Sequence, residues 1–165
     1  WPDKLDVSIE EHQALARWGN IALVNTHGEL FQAASDADLP VFYGPGDGVM
    51  EVTKNYGSYS QVLNKADIKI AQVTLSPRRA WEIKTNKGLL IALGREQMEA
   101  RLDKFARAYQ STLSQLNVKV VYADLRYPNG FAVRKPAHMK SEIKAPLLEN
   151  TKPAVKTKPM LPVKA

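Results

Sequence analysis

The 165-residue sequence contains no cysteine. Disulfide bridges, thiolate nucleophiles and the common structural zinc sites are thereby excluded, and the absence fits a reducing or an oxidising compartment equally well. Long apolar runs are missing too. The best candidate, Leu89 to Leu93, falls far short of the ~20 residues a membrane-spanning helix needs, and no signal-peptide pattern opens the chain. The chain starts at Trp1 rather than at methionine. A fragment or mature form is therefore expected, with any anchor upstream of it.

Histidine is scarce: His12, His27 and His138 share no spacing and have no nucleophile or acid pattern beside them, so surface positions are expected. An excess of one charge is also absent from most of the chain. Residues 1–133 hold 15 Lys+Arg and 15 Asp+Glu, whereas residues 134–165 hold 8 against 2 and so carry the net charge of +6. A nucleic-acid partner calls for basic residues interleaved with exposed aromatics on a positive fold, and none is expected here.

After Phe131 there is no further aromatic residue, and five of the ten prolines fall in the last 30 positions. Such a stretch cannot bury enough apolar area to offset an ordering entropy of roughly 1 to 2 kcal/mol per residue. Residues 136–165 therefore read as a disordered Lys/Pro-rich tail. Its lysines could meet anionic lipid or polymer, or serve only solubility.

What is present is enough hydrophobic content, 44%, for the core of one domain. Leu5, Val7 and Ile9 alternate with polar residues as in a half-buried strand. Short strands are expected at 14–18, 21–24, 30–31 and 39–44. Further strands are expected at 68–75, 80–85, 89–93, 118–125 and 131–135, with Asn86-Lys87-Gly88 as a tight turn in an antiparallel meander. Apolar positions Val49, Val52, Tyr56, Tyr59 and Leu63 repeat at helical spacing, and Met98, Leu102, Phe105, Ala106, Tyr109, Leu113 and Leu116 form the stripe of a second helix over 94–116. The fold class is α+β: a largely antiparallel sheet with two helices packed on it.

No cofactor, metal or catalytic residue is expected. Gly44-Pro45-Gly46-Asp47-Gly48 precedes a helix, but it continues as Val49-Met50-Glu51 rather than Gly-Lys-Ser/Thr, so a strand-to-helix turn is the reading. The acidic pairs Glu10-Glu11 and Asp36 with Asp38 lie in polar edges and suggest no acid/base couple. Arg101, Lys104 and Arg107 read as solvated charges. A binding module is what remains, with a hydrolase of unrecognised site as the enzymatic alternative.

The chemistry-bearing feature is the stretch DLRYPNGFAVRK at 124–135, two strand-like runs around a Pro-Asn-Gly turn with nothing after them to pair with. Alternation puts Phe131, Val133 and Lys135 on one face and Ala132 and Arg134 on the other, leaving backbone donors and acceptors along an outer edge, with Ala132 as the donor to remove in a test. From the residues alone two readings stay open. The edge receives another strand, or Arg134, Lys135 and Pro136 blunt it against aggregation.

Five ordered blocks add to this: WPDKLDVSIEE with ALARWGN at 1–20, LPVFYGPGDG at 39–48, LSPRRAWEIKTNKG at 75–88, LGREQMEARLDKFARAY at 93–109 and YADLRYPNGFAV at 122–133. In order and spacing they resemble the periplasmic part of the FtsQ/DivIB family of bacterial cell division proteins. The resemblance implies a single-pass inner-membrane protein acting in the periplasm at the division septum, whose membrane helix and most of whose POTRA domain lie upstream. Residues 1–12 would end POTRA, 13–135 would form the β domain, and 136–165 the tail.

It also implies a non-catalytic divisome scaffold linking early and late division proteins, binding FtsB and FtsL by adding a partner strand to its last strand. The positions matched for partner binding are Arg78, Arg126, Tyr127, Asn129 and Gly130, with the strand itself supplied by Phe131, Ala132, Val133 and Lys135. Lys135 stands where some relatives carry an aromatic anchor, and Ala14 where proline is usual. The alternative is a POTRA-associated chaperone or secretion module for outer-membrane polypeptides.

Overall fold

A computed structural model describes residues 12–113 and 119–136. Expectations for the opening strand at 5–9, the end of the second helix and the tail beyond residue 136 lie outside the described residues.

The chain runs β1 (Ala14–Trp18), β2 (Ala22–Asn25), β3 (Leu30–Phe31), β4 (Val41–Tyr43), α1 (Val49–Asn64), β5 (Ile70–Leu75), β6 (Trp81–Thr85), β7 (Leu90–Gly94), α2 (Met98–Ala108), β8 (Tyr122–Asp124) and β9 (Ala132–Arg134). All nine strands form one sheet in the order β3-β2-β1-β4-β5-β6-β7-β8-β9. The β5-β6-β7 meander is antiparallel, as the turn residues predict. Three pairs are parallel, β1 with β4, β4 with β5 and β7 with β8, so the sheet is mixed.

The last two of these parallel pairs are crossovers through α1 and α2. Both crossovers step the same way between strands of the same direction, and their usual right hand then puts both helices on one face of the sheet. The burial pattern agrees. Val49, Val52, Tyr59 and Leu63 of α1 and Leu102, Phe105 and Ala106 of α2 join Phe42, Val73, Leu75, Trp81, Ile83, Ile91, Leu93 and Ala123 of the sheet in one core. Fully burying side chains of this size stabilises by ~1.5 to 3 kcal/mol each. Tyr59 meets the Trp81 ring edge-on at 5.5 Å, and Phe42 meets Tyr56 at 5.0 Å.

On the opposite face Arg17 reaches back to the Ser35 and Ala37 carbonyls at 2.6 and 3.3 Å, holding down the loop from β3 to β4. At the entry to β1, buried Asn25 donates to Glu29 and meets the His12 ring, which stacks on Phe31.

Helix α2 starts at Met98, the first residue of its apolar stripe and four residues after the expected start at 94. Gly94 has φ +81° and Gln97 φ +53°, so the chain turns twice through left-handed backbone before the first helical residue. The helix then widens into a π turn at Tyr109–Leu113.

Candidate functional site

The last hairpin is built from β8, a seven-residue connection and β9, paired as Tyr122 with Arg134, Ala123 with Val133 and Asp124 with Ala132. Among the described residues β9 is terminal in the sheet, and its three residues are exposed. Backbone direction alternates along a strand. The amide of Leu125 donates to Ala92 of β7, so Ala123 also faces β7 while Tyr122 and Asp124 face β9. The alternation breaks at Val121, whose carbonyl accepts from Leu90 of β7 while its amide donates to the Arg134 carbonyl at 2.9 Å, and that carbonyl therefore points inward. Ala132 and Arg134 thus spend their backbone groups on β8. The outward N–H and C=O belong to Val133, flanked in the same alternation by Phe131 and Lys135. This corrects the choice of Ala132 as the edge donor: side-chain face is legible from sequence parity, but which parity looks outward depends on the pairing register.

Two contacts fasten the hairpin to α2. The Phe131 ring packs edge-on against Phe105 at 5.3 Å, and Lys104 donates to the Asn129 carbonyl at 3.3 Å. Phe131 is therefore half-buried structure as much as surface. Tyr127 is 55% exposed. With Pro128, Asn129, Gly130, Phe131 and Ala132 it lines an open hollow of about 420 Å³ beside the start of β9. Gly130 has no positive φ, and a Cβ there would meet nothing within 4 Å, so no local turn requires glycine. On the face away from the helices the Arg134 guanidinium lies 5.2 Å from the Tyr122 ring centre, a cation–π distance.

Arg126 is not a free charge. Its Nε donates to Asp124 Oδ1 at 2.8 Å and its Nη2 to Oδ2 at 2.6 Å, while its backbone N–H donates to Oδ1 at 3.1 Å. The Asp124 side chain is 8% exposed and that of Arg126 61%. The guanidinium, through these hydrogen bonds, holds the Asp124 carboxyl below the usual carboxylate range, and the carboxylate pushes the arginine further up. Asp124 is not among the residues that the sequence singles out. The signal is there: an Asp two residues before an Arg at the mouth of a Pro-Asn-Gly turn is the spacing of an Asx turn.

Arg78 lies in the exposed turn between β5 and β6, at the same end of the sheet. Among the described residues it has no ion pair. Its neighbour Arg79, in left-handed backbone at φ +59°, pairs instead with Asp47 and Glu51 at 2.6 Å each. Three strand spacings separate β6 from β9, about 14 Å. The site residues at 126–135 therefore form one hairpin, and Arg78 is a separate point on the same rim. Arg101, expected as solvated, is half-buried, with its Nε buried and unpaired.

Among the described residues no cluster of histidine and acidic side chains could hold a metal ion, and no helix is long and apolar enough to cross a membrane.

A family described as "Cell division protein FtsQ/DivIB, C-terminal" matches residues 16–126, that is β1 through the start of the last turn. The chain is 42% identical over 134 residues to cell division protein FtsQ of Nitrosospira multiformis, covering 81% of this chain and 57% of that protein. Against FtsQ of Burkholderia pseudomallei the identity is 40% over 141 residues, covering 81% and 56%. Against FtsQ of Shewanella oneidensis it is 33% over 156 residues, covering 93% and 58%. The chain spans a little over half the length of these relatives. It belongs to the FtsQ/DivIB family of cell division proteins.

Proposed function

We propose that this chain is a non-enzymatic scaffold of the divisome that binds FtsB, together with FtsL, by accepting a strand of FtsB on the outer edge of β9. In this reading the protein links early and late division proteins at the septum, and an upstream helix holds it in the inner membrane with this region in the periplasm. The observation that carries the reading is the Val133 edge: outward backbone groups on a terminal strand, next to an open hollow under Tyr127. Main-chain pairing supplies affinity there and the hollow supplies choice of side chain. Tyr127 brings large area at little rotamer entropy, the profile of a binding hot spot.

Arg78 lies about 14 Å in from β9, and a strand added outside β9 would be one spacing farther still. A partner that uses both must carry more chain than the strand itself, crossing the end of the sheet. Since Arg126 is already neutralised by Asp124, Arg78 is the residue on this rim suited to steer an acidic partner.

Hydrogen exchange tests the reading directly. On addition of the cognate FtsB periplasmic segment, the amides of Val133 and its flanks should slow, while those of Leu30 and Phe31 on the opposite edge stay unchanged. Protection at β3 with none at β9 would overturn it.

A further inference from the structure

The Asp124–Arg126 pair has a geometry that a mere surface ion pair does not need. Asp124 takes the side-on edge of the guanidinium, Nε and Nη2, with its two oxygens, and its Oδ1 also takes the Arg126 backbone N–H. The stem of Arg126 lies over Gly94 at the end of β7, where an added Cβ would sit 3.1 Å from Arg126 Cγ. The arginine is thus fixed at three points: its amide, its stem and one edge of its head group. Among the described residues no hydrogen bond takes the end-on edge, Nη1 and the second hydrogen of Nη2, and the side chain is 61% exposed. Guanidinium donors sit in a rigid fork, so fixing one edge fixes the direction of the other.

We propose that Asp124 is a positioning residue for partner binding: by gripping the side-on edge of Arg126 it holds the end-on edge outward, in one orientation, for a pair of acceptor oxygens on the partner chain where it crosses this end of the sheet, beyond the strand that joins β9. The chemistry that fits is a carboxylate, or a carboxylate oxygen with a main-chain carbonyl, met by two parallel N–H groups. Because Asp124 already balances the charge, Arg126 contributes direction rather than attraction. This inference rests on the strand-addition reading above.

A lysine at position 126 separates direction from charge. It keeps the positive charge and the apolar stem but has no fork to be gripped or aimed, and at an exposed site it does not threaten folding. Binding of the cognate FtsB periplasmic segment to the 165-residue chain would be measured by calorimetry for wild type, Arg126→Lys, Asp124→Asn and the double variant. Asparagine at 124 still accepts the backbone N–H but turns an amide donor toward the guanidinium.

Each single variant should bind about tenfold more weakly. The double variant should be no weaker than either single one, since both act on the same contact. In the free chain, the Arg126 Nε–H resonance should stand apart from those of solvated arginines and join them in Asp124→Asn. Binding of Arg126→Lys within about twofold of wild type, or additive losses in the double variant, would overturn the positioning role while leaving strand addition intact. A wild-type chain that does not bind the segment would overturn both.

Discussion

Replacing Val133 by proline should separate partner binding from folding. The register assigns the inward hydrogen bonds of β9 to Ala132 and Arg134, so a proline ring at 133 occupies only the outer side. Val133 is 38% exposed and is not among the buried core residues, so little core packing is lost with its side chain. On the binding side, one intermolecular hydrogen bond worth about 1 kcal/mol disappears, and the partner carbonyl that would have received it is left unpaired at a cost of about 1 to 3 kcal/mol. The complex should therefore weaken by roughly 2 to 4 kcal/mol, on the order of 30- to 1,000-fold in Kd. Titration calorimetry with the FtsB segment gives the first number and thermal melting the second. At this chain length about 1 kcal/mol of stability moves the melting temperature by a few degrees, and the change should stay within that. Ala132→Pro serves as the contrast, because it removes an amide directed at β8 and should lower stability and binding together. If Val133→Pro binds normally, or if Ala132→Pro proves the selective variant, the assigned edge is wrong.

Three further outcomes are expected. Tyr59→Phe should raise stability by about 1 kcal/mol in denaturant unfolding, because the Tyr59 hydroxyl is fully buried without an acceptor, burial pushes its ionisation well above that of an ordinary tyrosine, and an unsatisfied polar group costs about 1 to 3 kcal/mol; a clear loss would mean that an ordered water or unseen partner satisfies it. Asp124 ionises below its unfolded value of about 3.9 because of Arg126, so the pair's contribution is fully present at neutral pH and is lost only as pH falls through the lowered folded value; Arg126→Gln should move the carboxyl titration, followed by carbon NMR, back up toward that of an ordinary aspartate. Arg78→Glu should weaken the complex and flatten its salt dependence, and an acid-to-lysine change in the partner should restore both; absence of any rescuing acid would reduce Arg78 to a solvated charge.

Much of the fold is legible along the chain because it rests on local periodicity. The α1 stripe from Val49 to Leu63 and the Asn86-Lys87-Gly88 turn are each set within a few residues, and each appears as expected. The parallel pairings are not local. Nothing in Val41–Tyr43 says that it inserts between β1 and β5, because that placement follows from the crossover through α1 and from what the buried Phe42 can reach. The start of α2 is likewise set by backbone: helix is expected from Gly94, but two left-handed residues postpone it to Met98, where the apolar stripe begins. At the candidate site the hairpin and the exposure of its last strand are legible in the sequence. The state of Arg126 is not. An arginine near a turn looks like an available charge until the position of Asp124 is known, and the buried carboxylate turns it from an attractor into an oriented donor.

Among the described residues the sheet ends in β3 and β9, and the strand addition proposed above fits β9 better than β3. β3 has two residues, and Leu30, Ile21 and Met50 leave apolar surface in the open. Exposed apolar area alone would favour that end. Yet Phe31 is already covered by the His12 ring, and Gln32, the next residue, spends its side-chain amide on the Ile21 carbonyl, so the neighbouring backbone is tied into the domain. A two-residue strand also offers at most one outward residue for main-chain pairing. At β9 the outward residue is flanked by two more in the same alternation, the turn before it is held by Asp124 and α2, and the hollow under Tyr127 adjoins its first residue. Strand addition orders the incoming chain at roughly 1 to 2 kcal/mol per residue, so the edge that favours it is the one whose own ordering cost has already been met by folding. By that criterion the proposed strand addition falls to β9 rather than to β3.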